Sequence, residues 1–350
     1  AGLSAAYALA RKGHQTEIFE GEQVLGGVLR TGIPTYRLPK DVLDQEVQGI
    51  LDLGVTAHTG SFLGSEELRK LSQDFEAVIL ATGLQRPREL DIPGSELEGV
   101  EQGIRFLHRA NLEEGYTLSG HVVILGGGNT AMDCARSALR FGAEKVTVAY
   151  RRSRAEMPAI LEEIEEAMEE GVEFRFLSAP LAYLGSDRVD AIELAEVELG
   201  EPDESGRRRP VVTDRSTTLA CDRVLRALGQ SSDLALLPED WKIEAGRAFD
   251  TKRALNVFAT GDVATGEGTV THAIGDGRRI AHEALIALGE TVVPVRGPDR
   301  VAAVSRAKTR FDHFPLRTTA LLHRELPAER IEHFGEVNHG LAVAKEAERC

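Results

Sequence analysis

The sequence predicts an α/β protein made of two nested β–α–β nucleotide-binding units, with parallel sheets and small antiparallel additions. Three stretches carry that prediction. HVVILGGGNTAMDCARSALRFGAEKVTVAYRR (121–152) reads as strand, glycine loop, helix and second strand. AGLSAAYALARKGHQTEIFE (1–20) repeats the later part of that unit. VFATGDVATGEGTVTHAIGDGRRIAHEALIALG (257–289) supplies a strand, a glycine-rich turn and a long helix.

In the first stretch, His121 to Leu125 is a short apolar run, followed by Gly126, Gly128 and the small Ala131. Small residues there let the backbone approach a pyrophosphate, and the following helix start offers free N–H groups and a positive dipole end. Met132, Ala135, Leu139 and Phe141 mark the apolar side of that helix, and Val146 to Tyr150 is the closing strand. Laid over this unit, Gly2 falls on Ala131, Leu3 on Met132, Gly13 on Gly142, and the strand Thr16–Glu20 on Val146–Tyr150. The pattern is an internal repeat. Its first copy lacks an opening strand and early glycines, so Ala1 is expected to lie inside a motif. The middle loop then belongs to a second domain inserted in a first.

The copies differ where a nucleotide is chosen. The first ends on Glu20, placed to accept hydrogen bonds from ribose hydroxyls. The second ends on Tyr150, Arg151 and Arg152, and a guanidinium fork can hold a 2′-phosphate that a carboxylate would repel. The first unit therefore suits FAD, and the second favours NADPH over NADH; the bland alternative for the arginines is a solvated strand end.

Along the rest of the chain, Gly26 and Gly27 permit close approach to a flat ligand, while Pro34 and Pro39 stiffen the segment after them. Arg37 in that turn is either an exposed loop arginine or a contact to a phosphate or flavin. A helix is expected over Leu43–Leu53. FEAVILATG (75–83) reads as a buried strand partnered by VLRALGQ (224–230), which places the inserted domain at 101–229. Pro158 is expected near the start of a helix with apolar residues at 157, 160, 161, 164, 167 and 168. Its glutamates at 162, 163, 165, 166, 169 and 170 are read as a solvated face. EPDESGRRRP (201–210) is read as a hairpin loop. The Gly261–Asp262 turn can bond a polyol chain, and a helix beginning near Thr269 can stabilise charge on a reduced ring. His272 is read as a helix residue near the cofactor.

Composition agrees with a globular protein of two or three domains: 350 residues, 42% hydrophobic and 28% charged. A net charge of −15 argues against nucleic acid or an anionic membrane as the main partner. No apolar run approaches a membrane span. Three scattered cysteines, Cys134, Cys221 and Cys350, make no disulfide framework, and Cys134 lacks a C-x-x-C partner. A cytoplasmic location is expected.

The motifs GGVLRTGIPTYRLP (26–39), VILATG (78–83), GGGNTAMDCAR (126–136), RRSRAEMPA (151–159) and FATGDVATGEGTVTHAIGDGRR (258–279) together are specific. Over about 290 residues the chain closely resembles the small (beta) subunit of NADPH-dependent glutamate synthase and its relatives, including the flavin–NADPH half of dihydropyrimidine dehydrogenase and adrenodoxin-reductase-like enzymes. The resemblance implies two nested Rossmann-like domains of glutathione-reductase type. FAD would sit in a discontinuous domain (1–100 and 230–290), NADPH in the inserted one (101–229), with 291–350 as a C-terminal extension. It implies FAD contacts at Gly2, Glu20, Gly27, Val28, Arg37 and Leu63, and at Gly261, Asp262, Thr269, Val270 and Thr271. It implies NADPH contacts at Gly127, Gly128, Asn129, Thr130, Arg151 and Arg152.

Two departures stand out. The first phosphate loop is cut short, so FAD binding is expected to be poor for a chain that starts at Ala1, and residues 1–350 do not include the iron–sulfur domain that the resemblance implies at the N-terminus. FGEVNHGLAVAKEAERC (334–350) resembles the helix leading into an R-C-x-x-C-G-x-C cluster run, so Cys350 is expected to be the first ligand of a [4Fe–4S] cluster in the intact protein or its partner. The function implied is transfer of electrons from NADPH through FAD to an iron–sulfur partner, a glutamate synthase large subunit among the candidates. The alternatives are an adrenodoxin-reductase-like enzyme serving a free ferredoxin, and a redox-silent nucleotide-binding subunit.

Overall fold

The computed structural model describes residues 1–113, 115–202, 206–244, 247–249, 254–266, 268–291 and 324–338. The expectations for Cys350 and most of the C-terminal extension fall outside these residues. The chain opens with helix α1 (Gly2–Ala10), strand β1 (Glu17–Phe19), a short helix α2 (Val28–Thr31), helix α3 (Lys40–Leu51), strand β2 (Thr56–His58), helix α4 (Ser65–Asp74) and strand β3 (Val78–Leu80). β1 and β2 pair in parallel. α3 begins earlier than expected because Pro39, with φ −53°, serves as its N-cap. Its Leu43 and Val47, one turn apart, pack with Leu25, Leu3 and Ile18.

Two short strands, β4 (Arg86–Pro87) and β5 (Val100–Gln102), lead inward. There α5 (Gly103–Leu112), β6 (His121–Leu125), α6 (Asn129–Arg140), β7 (Lys145–Tyr150), α7 (Leu161–Glu169) and β8 (Glu173–Phe176) alternate. An antiparallel meander follows: β9 (Ser178–Gly185), β10 (Val189–Pro202) and β11 (Arg208–Ala220), with β12 (Arg223–Arg226) after it. β12 inserts between β5 and β6, giving a parallel five-stranded sheet of order β5-β12-β6-β7-β8. Helices cover one face of this inner sheet through Phe106, Met132, Ala135 and Ile164, and the meander covers the other through Ile192 and Leu194. With both faces covered, Val122, Val123 and Ile124 lose all solvent contact, which is why β6 reads as an unbroken apolar run. The hairpin expected around 201–210 is present: Pro202 pairs with Arg208.

The chain then returns outward through β13 (Gln230–Ser231), β14 (Lys242–Glu244), β15 (Arg247–Phe249) and β16 (Ala254–Ala259) to helices α8 (Asp262–Thr265) and α9 (Val270–Ala287). The outer sheet has the order β14-β15-β16-β3. This corrects one sequence expectation: β3 pairs in parallel with β16, not with the strand at 224–230, which belongs to the inner sheet. The segments just beyond those two strands do meet, since β4 and β13 pair antiparallel where the chain crosses between sheets.

A second correction concerns the glutamates around α7. Glu162, Glu165 and Glu169 are exposed as expected, but the other three are not part of a solvated face. Glu166 and Glu170 are buried, and with Glu163 they surround Arg136, whose side chain has no exposure. Positions 163, 166 and 170 share one side of the helix with Ile164 and Ala167, and Arg136 and Arg140 of α6 neutralise the carboxylates there. Ile160 and Leu161, expected on the apolar side, are instead exposed. Past the outer helix, residues 324–338, with helix α10 (Pro327–Arg330), come back to the inner unit: Arg324 pairs with Glu166, Arg330 with Glu169, and Phe334 packs on Phe141.

Candidate cofactor sites

In the inner unit the loop after β6 is built by steric exclusion. Gly126 has φ +137°, and a Cβ there would collide with the carbonyl oxygen of Ala227. A Cβ on Gly127 would come within 2.6 Å of the Tyr150 ring. Gly128 is the N-cap of α6, so the Asn129 and Thr130 N–H groups have no acceptor within the helix. The loop is braced from outside: Ala159 N–H donates to the Gly127 carbonyl (3.1 Å) and Ile160 N–H to Asn129 Oδ1 (2.9 Å). The Tyr150 hydroxyl donates to the Glu156 carbonyl at 2.8 Å and fixes the ring beneath the loop. Glycine-backed N–H groups at a helix start fit a pyrophosphate.

Leu125 pairs with Ala149, so the glycine loop and the residues after Tyr150 emerge side by side at the carboxyl edge of the sheet. The structure separates the two arginines there. Arg151 is exposed, whereas Arg152 is buried and its Nε donates to the Arg208 carbonyl at 2.7 Å. A cavity of about 500 Å³ adjoins this loop, lined by Arg154, Met157, Ala159 and Leu161. A larger one of about 770 Å³ lies by His121, Asp222 and the β9–β10 turn, at the opposite edge of the sheet from the loop.

In the outer unit, Gly2 and Gly261 are brought together. Gly261 has φ +71°, and a Cβ there would lie 2.6 Å from that of Ala1; one on Gly2 would meet Ala81, just past β3. The turn is anchored by Asp276, a residue the sequence reasoning missed. Its Oδ2 accepts from Gly261 N–H (2.7 Å) and Thr260 Oγ1 (2.9 Å), and its Oδ1 from Arg279 Nε (2.8 Å). Burial alone would raise the Asp276 pKa; these donors hold it below its ordinary value. The available signal was an acid between Gly275 and Gly277 inside a helix, where two glycines cost helix stability. Gly277 lets the Ala1 carbonyl cross α9 in contact.

Thr269 is the N-cap of α9 and its hydroxyl accepts from His272 N–H, so Val270 and Thr271 sit in the first turn with His272 exposed beside them. Glu20 ends beyond β1 and accepts from Glu22 N–H at 3.0 Å. Gly27, at φ +56°, faces open space, and Val28 begins α2 with 44% of its surface exposed. Leu63 is half-buried next to the exposed Phe62. Open space at a left-handed glycine is the shape a flat ligand requires. Arg37 is not an exposed loop arginine: its Nη1 donates to Asp133 Oδ1 (2.7 Å) and its Nε pairs with Glu163 Oε1 (2.8 Å).

Neither described cysteine suits redox work. Cys134 and Cys221 are free, buried, and in separate cores. Burial pushes the Cys134 thiol well above its usual range and that of Cys221 up to about 12. Among the described residues no group of His, Cys, Asp or Glu side chains could hold a metal ion, and no helix is long and apolar enough to cross a membrane.

The profile of the pyridine nucleotide-disulphide oxidoreductase family matches residues 1–277. The chain belongs to that family. It is 43% identical over 295 residues to the NADP(+)-dependent formate dehydrogenase subunit beta of Moorella thermoacetica, covering 80% of this chain and 41% of that one. It is 37% identical over 318 residues to the NADPH-Fe(3+) oxidoreductase subunit beta of Geobacter sulfurreducens (80% and 47%). It is 35% identical over 304 residues to the glutamate synthase [NADPH] small chain of Azospirillum brasilense (80% and 63%). The chain thus spans less than two thirds of the length of these relatives. In fold it is similar to FprA of Mycobacterium tuberculosis in complex with NADPH, at TM-score 0.70 and 19% identity over 82% of each chain. It is also similar to Lactococcus lactis thioredoxin reductase, at TM-score 0.61 and 22% identity over 83% of this chain and 96% of that one.

Proposed function

We propose that this chain is the FAD- and NADPH-binding part of an oxidoreductase that passes electrons from NADPH, through flavin, to an iron–sulfur partner, as a glutamate synthase small subunit would. On this reading residues 1–100 and 230–290 hold FAD, residues 101–229 hold NADPH, and 291–350 lead toward the partner. One observation carries it: each of two nested units sets a glycine turn and a helix N-terminus at the carboxyl edge of parallel strands.

When bound, NADPH supplies a hydride and FAD accepts it and can release electrons singly; the protein contributes grip, orientation and electrostatics. The backbone N–H groups of Gly127, Gly128, Asn129 and Thr130 would hold the pyrophosphate of NADPH, with the loop braced by the Ala159 and Ile160 bonds. Exposed Arg151 would take the 2′-phosphate, while Arg152 fixes the strand end against β11. On the flavin side, Glu20 would accept from ribose hydroxyls and Gly2 would admit the diphosphate. Gly27, Val28 and Leu63 would line the ring's surroundings, and Asp262 would bond the polyol chain. The Thr269–Thr271 helix start favours negative charge nearby. Asp276 sets the turn that presents Asp262. The buried thiols support a direct flavin route in place of a dithiol relay.

The test is optical. The intact protein, incubated with FAD and desalted, should be yellow and should bleach anaerobically with NADPH faster than with NADH. A protein that stays colourless after FAD incubation would remove the enzyme reading.

A further inference from the structure

We propose that Arg37 is a positioning residue that clamps the proposed nicotinamide-binding unit to the flavin-binding unit and so sets the distance across which hydride passes. This rests on the function proposed above. The turn that carries Gly26 and Gly27 is also the surface on which the inner unit rests. Asn111 Nδ2 of α5 donates to the Thr31 carbonyl (3.1 Å), and His108 pairs with Glu22 (3.0 Å) in a half-exposed contact. The Arg37 contacts differ in kind, because both acceptors are largely withdrawn from water: the Asp133 and Glu163 side chains are 7% and 14% exposed. A guanidinium bridging two such carboxylates is geometrically demanding and strongly orienting.

The place where it pulls matters. Asp133 lies one helical turn from Asn129, where α6 receives the glycine loop. Glu163 lies on α7, downstream of the Ala159–Ile160 brace of the same loop. Arg37 therefore grips both helices that shape the NADPH loop. Tyr36, next in the chain, seats its ring under Arg136 and Arg140 at 4.8 and 4.0 Å, while those arginines hold Glu163, Glu166 and Glu170. Its hydroxyl has no hydrogen-bond partner among the described residues, so the ring's seat under two guanidiniums is what fixes it. The units are also joined at the paired crossings β4 and β13, where Arg88 N–H donates to the Gly229 carbonyl. Two crossings at one place allow rotation. The α5 contacts and, more rigidly, the buried Arg37 clamp lie away from them and oppose it.

The experiment compares wild type with Arg37→Met, and with Arg37→Met/Asp133→Asn should the single variant misfold. Amide hydrogen exchange at Arg88 is measured without cofactors, so this arm stands apart from whether nucleotides bind. It should rise about tenfold as the units loosen. In FAD-loaded protein, the single-turnover rate of flavin reduction at saturating NADPH should fall about tenfold or more, with the dissociation constant for NADP+ unchanged. Arg37→Lys, which keeps charge but not the fork, should recover part of the rate. Unchanged exchange and rate overturn the clamp. Loss of FAD from the variant also overturns it, by making Arg37 a flavin contact, and so does weakened NADP+ binding at unchanged rate.

Discussion

The two units repeat one motif but reach the same shape by different means. In the inner unit everything is close in sequence: β6, its glycine loop, α6 and β7 occupy 121–150, and β6 is fully shielded between helices and meander. In the outer unit the parts come from both ends of the chain: α1 leans on α9, Ser4 Oγ donates to the Ile274 carbonyl (2.8 Å), and Gly277 admits the Ala1 carbonyl. The lesson is that one nucleotide-binding geometry can rest on a dense local core or on long-range stitching by a few polar groups. The two should fail differently.

The largest difference is expected between the buried anchors. Glu170→Gln in the inner unit unbalances Arg136 and Arg140 with no solvent to relieve them, and should cost about 3–5 kcal/mol in denaturant unfolding. Asp276→Asn in the outer unit, with Asp276 12% exposed, should cost about 1.5–3 kcal/mol. Equal costs would erase the distinction. Next come the glycines. Gly126→Ala drives a methyl into the Ala227 carbonyl and should cost about 3 kcal/mol; Gly27→Ala meets only a positive φ and should cost about 1 kcal/mol.

Acid sharpens the comparison further. Burial raises the Asp133 pKa to about 6, with Arg37 holding it back, Glu163 pushing up and Arg136 pulling down. A raised carboxyl pKa means the folded state binds the proton more readily. Its favourable contribution is therefore complete below the ordinary carboxylate range and is lost as pH rises through 6, a span of about 3 kcal/mol. Asp276 has the opposite sign: its depressed pKa supports folding above the ordinary range and is lost as pH falls through the lowered value. Unfolding free energies between pH 4 and 7 should thus rise toward acid for wild type relative to Asp133→Asn. A flat difference would contradict the burial of that carboxyl. The smallest effect concerns the two neighbouring arginines: Arg151→Ala should lower NADPH-over-NADH preference about tenfold at unchanged stability. Arg152→Ala should instead destabilise by about 1 kcal/mol through its lost bond to the Arg208 carbonyl.

The inner loop was legible in the sequence because glycine, strand and helix signals all act within thirty residues, and Gly128 stands where the strand–loop–helix pattern puts it, as the N-cap of α6. The role of Arg37 was not, because its partners lie about 96 and 126 positions away and local chemistry cannot distinguish a flavin contact from a carboxylate pair. Glu163, Glu166 and Glu170 misled for a related reason: helical spacing shows which residues share a face, not whether that face meets water or two arginines. The β3 strand pairs with a segment about 180 residues on, and apolar runs of this length carry no record of their neighbour.

The antiparallel pairing of β4 with β13, closed by the Arg88–Gly229 bond, has a practical corollary. The stretch between Arg88 and Gly229 enters and leaves at a single point, so it is excisable: cut there and rejoined by a short linker, it would have termini already in register for independent expression or transplantation into another scaffold.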